Sequence, residues 1–377
     1  MKRIIVIGGG FGGFNVSFML EKIKDFQVIL IDPSDHFTYI PLIHEVCTGN
    51  IPAKTVKIKF QRVLKRTLHI KSRVVEIVYT EKKVKLEYNR VLIYDYLIIA
   101  TGSVPNTVIK GTKGLPTLNK LEDAIAIKKM LKKMLKLRSK SICVIGEGPT
   151  GTELIAEIAS LSSKFNIKME LHHFLYFQNY FNKLFEDDRA FKRQMEKLGV
   201  HVHPSEPVQK VLKNKISTKR GEYVFDLIII CTGVKPNTIP TDTKFQNGYS
   251  INNYCVIEQY NNVYAIGDVS SFKMNNRMLP NLAQTAKSQA DYVIKDIIRR
   301  EKKNKRKRFK PRILTQFISV GKHYAVAHFL RWVSIKGFLA WVMKKTYYFY
   351  DIFRVDKKVS LLKIYLKSII FSNKYFF

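Results

Sequence analysis

The chain has 377 residues, 46% of them apolar and 25% charged, enough to bury more than one core and ordinary for a globular protein. Its charge is lopsided: 65 Lys and Arg face 30 Asp and Glu, a net of +35 that draws polyanions, either nucleic acid or an anionic lipid surface. The four cysteines, Cys47, Cys143, Cys231 and Cys255, are scattered without a CxxC pair, which argues against a disulfide framework or a zinc site and for a reducing compartment. The N-terminal apolar run meets glycine too early for a secretory signal, and no stretch of about 18 uncharged apolar residues is available to cross a bilayer.

Residues 2–7, KRIIVI, read as a short buried parallel strand. Gly8, Gly10 and Gly13 follow with G-x-G-x-x-G spacing, then a helical segment, FNVSFMLEKI. In that pattern the first glycine permits the tight turn and the second lets a pyrophosphate approach backbone N–H groups. The third lets helix pack on strand, while the helix N-terminus favours phosphate. A second strand, FQVILID, ends on Asp32, where a carboxylate can accept ribose hydroxyls. Strand, glycines, helix, strand and acid in this order form a specific signal for a dinucleotide site.

Residues 72–99 alternate with period two and predict a hairpin-like region running into YDYLIIATGSVPN (94–106). The opening unit then recurs. KSICVI leads into GEGPTG, with Gly146, Gly148 and Gly151 at the same spacing, and TELIAEIASL reads as the next helix. FDLIIICTGVKPN (225–237) mirrors the earlier ATG segment, so that Thr101 and Gly102 correspond to Thr232 and Gly233. An internal repeat of this kind predicts two dinucleotide-binding domains. Downstream, NNVYAIGDVSSF places Asp268 at the end of a strand, where it suits a polyol chain or caps a turn.

Taken together, GGGFGG, ATG, GEGPTG, CTG and YAIGD resemble the two-dinucleotide-domain flavoprotein disulfide reductase superfamily. FTYIPLIHEVCTGNI, PNLAQTAKSQA and ISVGKHYAVAHF with SIKGFLAWV narrow the resemblance to the type II NADH:quinone oxidoreductases. The resemblance implies an α/β fold of two Rossmann-like domains, the NAD(P)H domain inserted in the FAD domain, plus a C-terminal amphipathic helical region that docks on membrane. The expected bounds are 1–110 and 238–310 for FAD, 111–237 for NAD(P)H and 311–377 for the docking region.

By the same resemblance Gly8, Gly10, Gly13 and Asp32 would hold the ADP half of FAD, with the Val74 backbone at adenine. Thr101 and Gly102 would line the pyrophosphate, Asp268 would hold the ribityl chain, and Ala283 would lie beside the flavin ring. Gln284, the other member of the family's Ala-Gln pair, would act at the quinone pocket, though it could also cap a helix. Ser288 and Gln289 stand where the family usually shows two glutamines. Gly146, Gly148, Gly151 and Gly233 would serve NAD(P)H, and Glu153 would act near the nicotinamide and flavin rings. The acid expected after the next strand is not evident: NIKMELHHF offers Leu171 or His173, with Glu170 one position away, and NADH against NADPH stays open.

The implied activity is two-electron transfer from NADH through FAD to a membrane quinone, without proton pumping, at the cytoplasmic face of the cell membrane. The competing enzyme reading is a disulfide reductase, NADH oxidase or sulfide:quinone oxidoreductase using Cys47. A non-enzymatic flavoprotein sensor of NADH is a third. Residues 301–377 carry 19 Lys and Arg against 3 Asp and Glu, opening with a solvated basic loop, KKNKRKRFKPR, followed by two apolar stretches studded with further Lys and Arg. Leu361, Leu362, Ile364, Tyr365, Ile369 and Phe371 would form an apolar side, with Lys363 and Lys367 opposite. Trp332 and Trp341 would sit at headgroup depth and the basic residues on anionic lipid. The same stretches could pair two copies as a homodimer. No nucleic-acid motif accompanies the charge.

Overall fold

A computed structural model describes residues 1–134, 140–178, 189–243, 245, 248–274, 277–311, 315–329, 333–357, 359–370 and 373–376. The chain divides into two compact units: residues 1–38, 57–104 and 235–313, and residues 39–56, 105–234 and 314–377.

The first unit is built on a five-stranded parallel sheet ordered Val263–Ala265, Tyr96–Ile99, Lys2–Ile7, Phe26–Ile31, Leu68–Ile70. Lys2–Ile7 is central, and Ile4, Ile5, Val6, Leu97 and Ile98 are fully buried, as uninterrupted β-branched runs require when both faces are covered. The helix Phe11–Leu20 is apolar all round and packs against Ala283–Glu301. The period-two segment is an antiparallel meander, Val74–Val78, Lys83–Leu86 and Val91–Ile93, with a register shift between Val74 and Glu76.

The second unit repeats the plan with four parallel strands, ordered Val200–His203, Glu170–Phe174, Ser141–Ile145, Leu227–Ile230. The helix Pro149–Lys164 follows its glycine loop. A second, antiparallel sheet of Thr315–Ser319, Ala325–Phe329 and Val333–Gly337 leads into the helices Phe338–Asp356 and Val359–Ile370.

The C-terminal helices differ from expectation in which residues face out. Trp341 is only 3% exposed, packed with Ala325, Ala327 and Ala340, so it is a core residue instead of a headgroup anchor. Leu361 and Ile364, three apart, also turn inward, whereas Leu362 and Leu366 are exposed beside Lys363 and Lys367. On the helix Phe338–Asp356, Phe338, Leu339, Tyr350 and Phe353 are also exposed. Trp332 and Phe371 lie outside the described residues. Among those described, no helix is long and apolar enough to cross a membrane.

Candidate functional site

Each unit carries a glycine loop between its first strand and helix, and the two loops obey the same steric rules. In the first unit Gly8 has φ +97°, and a Cβ there would stand 2.4 Å from the carbonyl oxygen of Ala100. A Cβ on Gly13 would stand 1.9 Å from the Gly8 oxygen, while one on Gly10 would meet nothing within 4 Å. In the second unit Gly146 has φ +123° and only 2.1 Å to the Cys231 oxygen. Gly151 has 2.3 Å to the Gly146 oxygen, and Gly148 again faces open space. The outer glycines of each triad are therefore demanded by the fold. The middle one is not, and it leaves backbone open to a ligand at the start of a helix, which is the shape a pyrophosphate needs.

Asp32 closes the first loop. Its Oδ2 accepts the Gly9 N–H at 2.6 Å and its Oδ1 the Ser34 N–H at 2.7 Å. Burial raises its pKa, against the lowering effect of those two hydrogen bonds. Thr101 and Gly102 adjoin Ala100 at the end of the neighbouring strand. Thr101 Oγ1 donates to the Asn237 carbonyl at 2.6 Å, and the Asn237 N–H donates to Gly102 O at 3.0 Å. In the second unit Asn106 N–H donates to Gly233 O at 3.0 Å, and Thr232 Oγ1 to Asn106 O at 2.7 Å. In the mirrored Thr-Gly-x-x-Pro-Asn segments each Thr-Gly is thus tied to the asparagine of the other repeat.

Asp268 lies in a short turn, Gly267–Val269, after the strand Val263–Ala265, and accepts the Ser103 hydroxyl at 2.7 Å. Burial raises its pKa. Gln289, fully buried, holds this turn: its Oε1 accepts the Gly267 N–H at 2.7 Å and its Nε2 donates to Ser270 Oγ at 3.1 Å. That role was not evident from sequence; a buried amide six residues into a helix was the available signal. Ala283 and Gln284 open the helix Ala283–Glu301, whose N-cap is Leu282, so Gln284 is in the first turn and not at the cap. Val74 begins its strand and is half-buried.

In the second unit Glu153 sits in a buried charged network. Its Oε1 accepts Lys344 Nζ, the Ser319 N–H at 3.0 Å and the Ser319 hydroxyl at 3.2 Å. His44 Nδ1 lies 3.6 Å from its Oε2, and burial, then Lys344, push the His44 pKa well down. Beside this pair, Lys345 binds Glu45, and Glu157 accepts Asn50 Nδ2 at 2.5 Å. Burial, then the charge of Glu45, raise Glu157 to about 7. Lys344 and Lys345 belong to the stretch expected to meet lipid; instead both are buried ion-pair partners. Two adjacent lysines in mid-helix among apolar residues, with acids inside the apolar runs LIHEVC and TELIAEIASL, were the signals that could have shown it.

The strand register settles which residue corresponds to Asp32 in the second unit. Gly8 N–H donates to Ile31 O, and Gly146 N–H donates to Phe174 O, so Leu175 stands where Asp32 stands. Leu171, His173 and Glu170 all lie earlier, within the strand. His173 is buried beneath the loop with Nε2 2.9 Å from Gly146 O, and burial lowers its pKa to about 4.

All four cysteines are free. Cys47, Cys143 and Cys255 are buried and their thiols pushed well up by burial; Cys231, half-buried, is raised to about 12 by the same cause. None is poised as a thiolate at neutral pH.

The family model for pyridine nucleotide-disulphide oxidoreductases matches residues 2–290. The chain is 28% identical over 307 residues to apoptosis-inducing factor homolog A of Dictyostelium discoideum, covering 72% of this chain and 71% of that protein. It is 24% identical over 349 residues to an alternative NAD(P)H-ubiquinone oxidoreductase C1 of Arabidopsis thaliana, covering 77% and 66%. Its fold matches that of NDH2 from Plasmodium falciparum, solved with NADH, at a TM-score of 0.89, 20% identity and 99% of both chains.

Proposed function

Because the chain belongs to the pyridine nucleotide-disulphide oxidoreductase family, whose cofactors are FAD and NAD(P)H, we propose that it is a flavoprotein NADH dehydrogenase that passes two electrons to a membrane quinone without proton pumping. When bound, the cofactors supply hydride transfer from a reduced nicotinamide to an isoalloxazine ring. The protein's part is to bind, orient and exclude. Gly8, Gly10, Gly13, Asp32, Val74, Thr101, Gly102, Asp268 and Ala283 would hold FAD, and Gly146, Gly148, Gly151 and Gly233 the nicotinamide cofactor. The steric pattern of both loops fits this, since each leaves its middle glycine clear. Gln284 is assigned to the quinone side. Glu153 is assigned to the nicotinamide side, where Lys344 and both Ser319 donors fix its Oε1.

The observation that carries the choice of acceptor is that Cys47, Cys143 and Cys255 are buried and all four thiols, half-buried Cys231 included, are held above their ordinary pKa, which leaves no ready thiolate to relay electrons. The test is to bleach the yellow holoprotein anaerobically with NADH and compare reoxidation by a short-chain quinone, a disulfide and oxygen. Quinone should be faster than disulfide by about a hundredfold or more, with Cys47→Ala unchanged. A colourless protein, or disulfide reduction abolished by Cys47→Ala, would refute the reading.

The exposed Leu362 and Leu366, flanked by Lys363 and Lys367, support peripheral docking on the cytoplasmic face of the cell membrane. Burying a leucine in lipid is worth about 1.5–3 kcal/mol, so Leu362→Glu with Leu366→Glu should abolish flotation on anionic vesicles while sparing turnover of a soluble dye. Undiminished flotation would place the docking surface elsewhere.

A further inference from the structure

Between the two glycine loops one difference stands out once the registers are matched. With Gly8 paired to Gly146 and Ile31 to Phe174, residue 9 corresponds to 147, 32 to 175 and 33 to 176. In the first unit the loop position is Gly9, where a Cβ would strike the Phe60 ring at 2.3 Å, and the strand-end position is the acid Asp32. In the second unit the strand-end position is Leu175, fully buried and unable to accept a hydrogen bond through its side chain. The loop position there is an acid, Glu147.

The two carboxylates make the same kind of link from opposite sides. Asp32 reaches from the strand end to the Gly9 N–H of the loop and also takes the Ser34 N–H. Glu147 reaches from the loop to the segment after the strand, its Oε2 accepting the Tyr176 N–H at 2.9 Å. Both side chains therefore tie the glycine loop to the first residues beyond the second strand. That junction is where the adenosine ribose of a dinucleotide lies against a Rossmann unit. A carboxylate there accepts hydroxyl hydrogens, and it opposes a phosphate by like charge.

We infer that Glu147 is the specificity-determining carboxylate of the second unit, selecting a ribose with a free 2′-hydroxyl, so that the chain takes NADH over NADPH. The inference rests on the reading that this unit holds the nicotinamide cofactor. It also explains how the unit dispenses with a strand-end acid: the charge has moved across the junction to a loop position that the first unit must keep as glycine.

The FAD-loaded protein should be titrated calorimetrically with ADP-ribose and with 2′-phospho-ADP-ribose, which carry the adenosine end without the nicotinamide. Wild type should favour ADP-ribose by about tenfold or more, as expected for a carboxylate set against a phosphate. Glu147→Gln keeps an acceptor oxygen for the Tyr176 N–H but loses the charge. Its melting temperature should match wild type, and its preference should shrink to within about threefold. Equal or reversed preference in wild type, or an unchanged ratio in Glu147→Gln, would overturn the assignment. If neither compound binds wild type, the second unit is not a nicotinamide dinucleotide site and the inference falls with that reading.

Discussion

Replacing Lys345 by Met should destabilise the second unit by about 3–5 kcal/mol, and adding Glu45→Met should restore most of the loss. The Lys345 ammonium and the Glu45 carboxylate form an ion pair in which both side chains are 3% exposed. Burial alone would push the Glu45 pKa up; Lys345, with His44 and Lys344, outweighs it and holds the carboxyl below its usual range. Glu45 therefore contributes stability above the ordinary carboxylate pKa and loses it as pH falls through the depressed one. Without Lys345, that carboxylate must stay charged in an apolar setting or take up a proton at neutral pH, and either costs stability. Methionine matches the length of the lysine stem and preserves its packing, so the loss reports the charge and not a cavity. Removing both partners leaves two apolar side chains of suitable volume. Urea unfolding at pH 7 measures the cycle. A loss under about 1 kcal/mol for Lys345→Met would mean that water reaches the pair, as it does at exposed salt bridges.

This pair also shows where sequence reading ends. Glu45 and Lys345 are 300 positions apart, and no local pattern links them. A lysine in a strongly basic tail is read as solvated because that is where most lysines are; only the packing of the helix Phe338–Asp356 shows Lys344 and Lys345 turned inward with Trp341. The glycine loops were legible because their constraint is local: strand, turn and helix adjoin, and the clash that forbids a side chain at Gly13 comes from Gly8 five residues earlier. The clash at Gly8 itself comes from Ala100, and the mirrored ATG and CTG segments were the sequence trace of that contact. Leu175 escaped because its assignment depends on where a strand ends to the residue, which hydrophobicity does not resolve and hydrogen-bond register does.

The two middle glycines give the sharpest separation of fold from ligand. Gly10 has φ −72° and ψ −166° and Gly148 φ −66° and ψ 169°, both open to alanine, and neither would bring a Cβ within 4 Å of another atom. Gly10→Ala and Gly148→Ala should therefore melt as wild type does. Gly10→Ala should nevertheless purify with little flavin. Gly148→Ala should keep its flavin, still bleach with dithionite, and bind NADH about a hundredfold more weakly, some 2.8 kcal/mol at 1.4 per decade. The physical cause is the same in both: a methyl group stands where backbone must approach a pyrophosphate. Gly146→Ala provides the contrast, since its Cβ would stand 2.1 Å from the Cys231 oxygen at a φ of +123°. That variant should lose stability as well as NADH, because the strain acts before any ligand arrives. Should Gly148→Ala bind NADH as tightly as wild type, the open face of the second loop is not the phosphate cradle, whatever its likeness to the first.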